Sequence, residues 1–89
     1  MGIELTVDGT RIEFRKELIL KHLPEEIKRG KFYKFDMKGY VVFPLGRAIP
    51  LFVEGSSEQL ASIEITEQTN FLLAGSSNTR GEYFVRVCK

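Results

Sequence analysis

The sequence predicts a mainly β chain, β-rich α+β in class: a small closed or partly open β-barrel with one helix in its N-terminal half. Three observations predict it. About seven short segments either alternate apolar and polar residues or run apolar for a few positions between turn residues. Only one stretch, Lys16 to Arg29, carries a helical period. So many strands in 89 residues would leave too many exposed edges in a flat sheet, and closure into a barrel removes them. At 10.2 kDa the chain has the size of one domain, residues 1–89.

Taken in order, Ile3, Leu5 and Val7 alternate with polar residues, Asp8-Gly9 follows, and Thr10, Ile12 and Phe14 alternate again. Asp-Gly between two such runs signals a two-residue hairpin loop. That loop sets Leu5 opposite Ile12 and Ile3 opposite Phe14, so one face is apolar, while Glu4 meets Glu13 and needs Arg11 and Arg15 nearby. From Lys16 to Arg29, Leu20, Leu23 and Ile27 fall at i, i+3 and i+7, which describes a helix face. Pro24 suits a first helical position, so two short pieces are expected, Lys16 to Leu23 and Pro24 to Arg29, with Gly30 as the stop.

Lys31 to Lys38 alternates with Tyr33, Phe35 and Met37 on one side, as a half-exposed strand does. Tyr40 to Phe43 and Ala48 to Val53 are apolar runs flanking a Pro44-Leu45-Gly46-Arg47 turn. Pro50 has no N–H for a ladder and requires an edge or a bulge. Ser56-Ser57-Glu58-Gln59 resembles a capping box, which predicts one helical turn at Ser57 to Leu60. Strands are then expected at Ser62 to Thr66, Phe71 to Ala74 and Glu82 to Cys88, with a polar loop from Gly75 to Gly81.

Composition excludes several function classes. Thirteen Lys and Arg against 12 Asp and Glu leave a net charge of +1, so no whole-molecule field draws in nucleic acid or membrane, and such a partner needs a local patch. One cysteine, Cys88, and one histidine, His22, rule out a disulfide framework and a zinc site of four Cys and His ligands. No apolar run reaches membrane-spanning length and the opening residues lack a signal-peptide pattern, so a cytoplasmic, membrane-free protein is expected.

No residue reads as catalytic. His22 has no partner at triad spacing, Cys88 reads as a small hydrophobe at a strand end, and Glu54, Glu58, Glu64 and Glu67 read as a solvated edge with no metal. The sharpest asymmetry lies in residues 28–38, with five basic residues, one acidic and three aromatics. On a strand, Phe32, Lys34, Asp36 and Lys38 share a face, so Phe32 flanked by Lys31, Lys34 and Lys38 would stack a base while the ammonium groups meet phosphates. The plainer reading is an edge strand whose lysines deter pairing with another chain.

The run Phe43-Pro44-Leu45-Gly46-Arg47-Ala48-Ile49-Pro50-Leu51-Phe52-Val53, with Gly55 close behind, resembles the signature of the small prokaryotic cyclophilin-like proteins. The hairpin followed by a segment containing Leu23-Pro24 is similar in order. The resemblance implies a closed barrel of cyclophilin type in a family whose members mostly lack an assigned activity. Arg47 matches the basic position of that signature and not a prolyl isomerase's active-site arginine.

The expectation is therefore a cytoplasmic binding module without covalent chemistry or cofactor. Its candidate binding residues are Lys31, Phe32, Lys34, Lys38 and Arg47, and its candidate pocket walls are Tyr40, Phe43 and Phe52. A protein or peptide partner is favoured over single-stranded nucleic acid at Lys31 to Lys38, and the sequence does not fix whether the chain self-associates. The competing enzyme reading is a peptidyl-prolyl isomerase, which needs only an apolar pocket and one well-placed arginine to ease amide rotation.

Overall fold

A computed structural model describes the backbone of residues 3–7, 10–24 and 26–89 and the side chains from residue 11 onward, apart from residue 25. The strands are β1 (Ile3–Val7), β2 (Thr10–Phe14), β3 (Leu18–Leu20), β4 (Phe32–Lys38), β5 (Tyr40–Val42), β6 (Ala48–Val53), β7 (Ala61–Leu73) and β8 (Ser76–Cys88). They form a three-stranded sheet in the order β1-β2-β5 and a five-stranded sheet in the order β3-β6-β7-β8-β4. β3 and β4 end the larger sheet without pairing to each other, so the fold is all-β with open sheets. The expected closed barrel is corrected on this point.

The N-terminal hairpin has the register that its alternation dictates, with Ile3 opposite Phe14, Glu4 opposite Glu13 and Leu5 opposite Ile12. Arg15 lies 2.7 Å from Glu13, placing a cation beside that carboxylate. The Asp8-Gly9 loop lies outside the described residues.

The expected helix between Lys16 and Arg29 is absent among the described residues. Leu18 and Leu20 are both buried with Ile19 half-buried between them, a period of two, and this short strand pairs in parallel with β6. Leu23 and Ile27 do pack against the core, but from irregular backbone. Apolar anchors dropped from a loop at intervals of three and four mimic a helix face, and Pro24 withholds a donor from any helix there. Side chains hold this segment instead. The Tyr33 hydroxyl donates to the Glu26 carbonyl and accepts from the Lys28 N–H, each at 2.9 Å.

Two smaller expectations also change. Residues 57–60 are irregular where a helical turn was expected: the Glu58 N–H donates to Ser56 Oγ at 3.2 Å and the Leu60 N–H to the Leu51 carbonyl at 2.9 Å. Of the expected Gly75 to Gly81 loop, Ser76 onward is strand, because β7 and β8 form one long hairpin whose turn is confined to Ala74 and Gly75, at φ 51 and 81°. Two successive positive φ values are what a two-residue hairpin loop of matching twist requires.

The core lies on the inner face of the larger sheet, where Leu18, Leu51, Ile63, Ile65, Tyr83 and Val85 are fully enclosed. Phe35 meets Phe43 edge-on at 5.6 Å. Gly81, directly opposite Phe35, has no room for a side chain: a Cβ there would approach the Phe35 ring to 2.8 Å and would strike the Glu67 carbonyl. Pro50 sits one position before Leu51, the first β6 residue paired with β3, so its missing N–H falls where that ladder has not begun.

Candidate functional site

Two strand edges in the middle of the molecule are treated in opposite ways. β5 pairs with β2 on one side, and its other side meets side chains instead of a strand. Gln68 Oε1 accepts from the Phe43 N–H at 2.9 Å, and Gln68 Nε2 donates to the Phe43 carbonyl at 2.7 Å. Asn70 Nδ2 donates to the Val41 carbonyl at 3.2 Å and to Thr79 Oγ1 at 2.7 Å. The buried Thr79 hydroxyl accepts from the Val41 N–H at 2.9 Å and donates to the Gly39 carbonyl at 2.7 Å. With one donor and two acceptor positions all used, this hydroxyl is saturated. Three side chains thus complete the β5 edge and tie the small sheet to the large one.

The β4 edge has no such cover. The Val85 N–H donates to the Lys31 carbonyl and the Gly39 N–H to the Ser77 carbonyl, so the odd-numbered residues of this segment bond to β8. In an antiparallel pair the intervening residues then point their N–H and C=O groups off the sheet, here those of Lys34, Asp36 and Lys38. On β3, the Leu20 carbonyl accepts from Glu54 beyond β6, which leaves the backbone groups of Ile19 pointing away from β6.

Both open edges border one cleft of about 770 Å³. Leu20, Leu23, Phe35, Met37 and Val41 supply apolar walls. Charged residues rim it: Arg15, Lys21, Lys34 and Lys38 against Asp36 and Glu54. Arg15 is held by Glu13, and Asp36 lies 3.8 Å from Arg80. Among the described residues Lys21, Lys34 and Lys38 have no ion-pair partner, so the rim carries uncompensated positive charge.

The sequence-derived candidates divide across this geometry. Lys34 and Lys38 border the cleft, while Phe32 and Lys31 lie at the far end of the strand. Phe32 is 57% exposed and rests on Phe84 with ring centroids 4.9 Å apart. On the outer face Lys34 stands opposite Glu82 and Asp36 opposite Arg80, so the basic row is interleaved with acid. Arg47 precedes Ala48, in the row Ala48, Glu64, Phe84, Phe32, and thus stands three strand spacings, roughly 14 Å, from β4. Tyr40, Phe43 and Phe52 do not share a pocket: Phe43 is core, Tyr40 borders a separate hollow with Arg11 and Glu13, and Phe52 lies beside Ile19 in the β3–β6 pair. Leu20, Leu23, Met37 and Val41 were missed as cleft residues, since the first two were assigned to a helix and the others read as ordinary strand positions.

His22 also borders the cleft and is exposed. Among the described residues no three His, Cys, Asp or Glu side chains group to hold a metal. Among the described residues the one displaced titration belongs to Tyr83, whose buried hydroxyl has no partner there. Burial, with a smaller contribution from Tyr33 stacked at 5.6 Å, pushes its pKa up to about 12. No described helix is long and apolar enough to cross a membrane.

No family model and no curated protein matches the chain. The crystal structure of the protein ytmB from Bacillus subtilis is similar to it, with a TM-score of 0.67 at 17% sequence identity, over 91% of this chain and 94% of that one. At that identity the likeness shows one thing, that the two chains share a fold.

Proposed function

We propose that this protein is a binding module that takes up an extended peptide segment of a partner protein by strand addition, between the open edges of β3 and β4. The observation that carries the reading is the cleft itself, with unpaired backbone donors and acceptors along one wall and apolar side chains behind them. A guest strand would gain main-chain hydrogen bonds from β4, and its alternate side chains would turn toward Leu20, Leu23 and Met37. β4 runs for seven residues, enough for a guest of five to seven. No step of this activity makes or breaks a covalent bond.

The test replaces a donor that the free protein does not use. Asp36→Pro removes an N–H directed away from β8, so stability should change by no more than about 1 kcal/mol. Peptides selected from a displayed random heptapeptide library on the parent protein should bind this variant at least about tenfold more weakly, the worth of one lost backbone hydrogen bond. Asp36→Asn, which keeps the N–H, should bind as the parent does. Equal binding by Asp36→Pro and the parent would show that the edge is not the site.

A further inference from the structure

Resting on that reading, the charges around the cleft define the ligand further. We infer that the guest is an acidic, alternating segment: two carboxylate side chains four residues apart, with a small neutral residue midway and apolar residues at the two positions between.

A strand laid beside β4 continues its pleat, so every second guest side chain shares the outer face with Lys34, Asp36 and Lys38, and the others turn inward with Phe35 and Met37. The inward positions meet the buried Phe35, the half-buried Met37 and, across the cleft, Leu20, Leu23 and Val41, and so call for apolar residues. The outward positions are decided by charge. Lys34 and Lys38 have no acidic partner within ion-pair distance among the described residues, although Glu82 stands opposite Lys34 on β8, where its carboxylate lies 3.2 Å from the Thr66 hydroxyl. Asp36 between them is already engaged by Arg80. Directly opposite charges attract across a strand pair and like charges repel, so acids fit beside the two lysines and a neutral residue fits beside Asp36. Lys21 on the facing side of the cleft adds to the same preference, and among the described residues Glu54 is the single rim carboxylate without an ion-pair partner to oppose it.

The experiment uses the full chain and capped peptides Ser-Glu-Val-Thr-Val-Glu-Ser and Ser-Lys-Val-Thr-Val-Lys-Ser, with amide shifts of Lys34, Asp36 and Lys38 as the readout. The acidic peptide should bind about tenfold more tightly at low salt, because two exposed cross-strand pairs change sign between the peptides. The difference should shrink in half-molar salt, where the screening length falls below the width of the rim. The double variant Lys34→Glu with Lys38→Glu should invert the preference. Equal perturbation of the β4 amides by both peptides would overturn the acidic assignment while leaving strand addition standing. Absence of any β4 perturbation by either peptide, or association of the protein with itself in place of peptide binding, would overturn both.

Discussion

The β5 and β4 edges make an internal comparison. The first is short and buried against β7 and β8, and every backbone group on its outer side finds a side-chain partner in Gln68, Asn70 or Thr79. The second is longer and lies beside a cleft, and among the described residues no side chain bonds the outward backbone groups of Lys34, Asp36 and Lys38. An orphaned backbone amide is tolerated only where water or a partner can reach it. The difference therefore separates an edge closed for stability from one kept available.

Breaking the closed edge should have the largest effect. Thr79→Val keeps the shape and leaves the Val41 N–H and Gly39 carbonyl bare in a buried setting, and should lower unfolding free energy by about 3 kcal/mol, read from denaturant midpoints at unchanged slope. Gln68→Leu strips both partners from Phe43 at a half-buried position and should cost about 1–2 kcal/mol by the same measurement. Matched losses at Thr69, exposed on the same strand, would erase the distinction between the clip and a polar side chain that meets only water.

Tyr83 sharpens the comparison because it is a buried polar group left without a partner among the described residues. Tyr83→Phe should raise stability by about 1 kcal/mol, since it removes an unpaid desolvation. Its ionisation moves from an ordinary 10.0 to about 12 in the fold, so the folded state retains the proton longer. That contribution is complete below pH 10 and is lost as pH climbs to about 12. Thermal melts across that window should steepen their decline for the parent and not for Tyr83→Phe.

The smallest effect is spectroscopic. The amides of Val41 and Phe43 should exchange with solvent as slowly as those in the β7–β8 ladder, and those of Lys34 and Asp36 should exchange rapidly. Similar rates at the two edges would mean that the β4 backbone has cover of its own.

What the sequence disclosed follows from which forces are local. Asp8-Gly9 with its flanking alternation determines the β1–β2 register, and the alternation from Phe32 to Lys38 determines which face of β4 is buried. Ala48 to Val53 is delimited by its own apolar run. The segment after Lys16 misled because Leu20, Leu23 and Ile27 are spaced like a helix face while tertiary packing takes them one at a time. Gln68, Asn70 and Thr79 were illegible as a clip, since polar residues on a strand look the same whether they meet water or a backbone 25, 29 or 40 positions away. The cleft was hidden for a related reason: it depends on β3 and β4 failing to meet, and no local pattern records a pairing that does not form.

The place of the β7–β8 hairpin in the sheet bears on how the molecule assembles during synthesis. Its two strands are neighbours in sequence and sit at the centre of the sheet, whereas the parallel pairings of β2 with β5 and β3 with β6 join segments far apart. Local hairpins close quickly and distant pairings wait for a template. On a ribosome β3, β4 and β6 would thus emerge before the hairpin that lies between them, and the larger sheet would be completed only after residues 61–88 had cleared the exit tunnel.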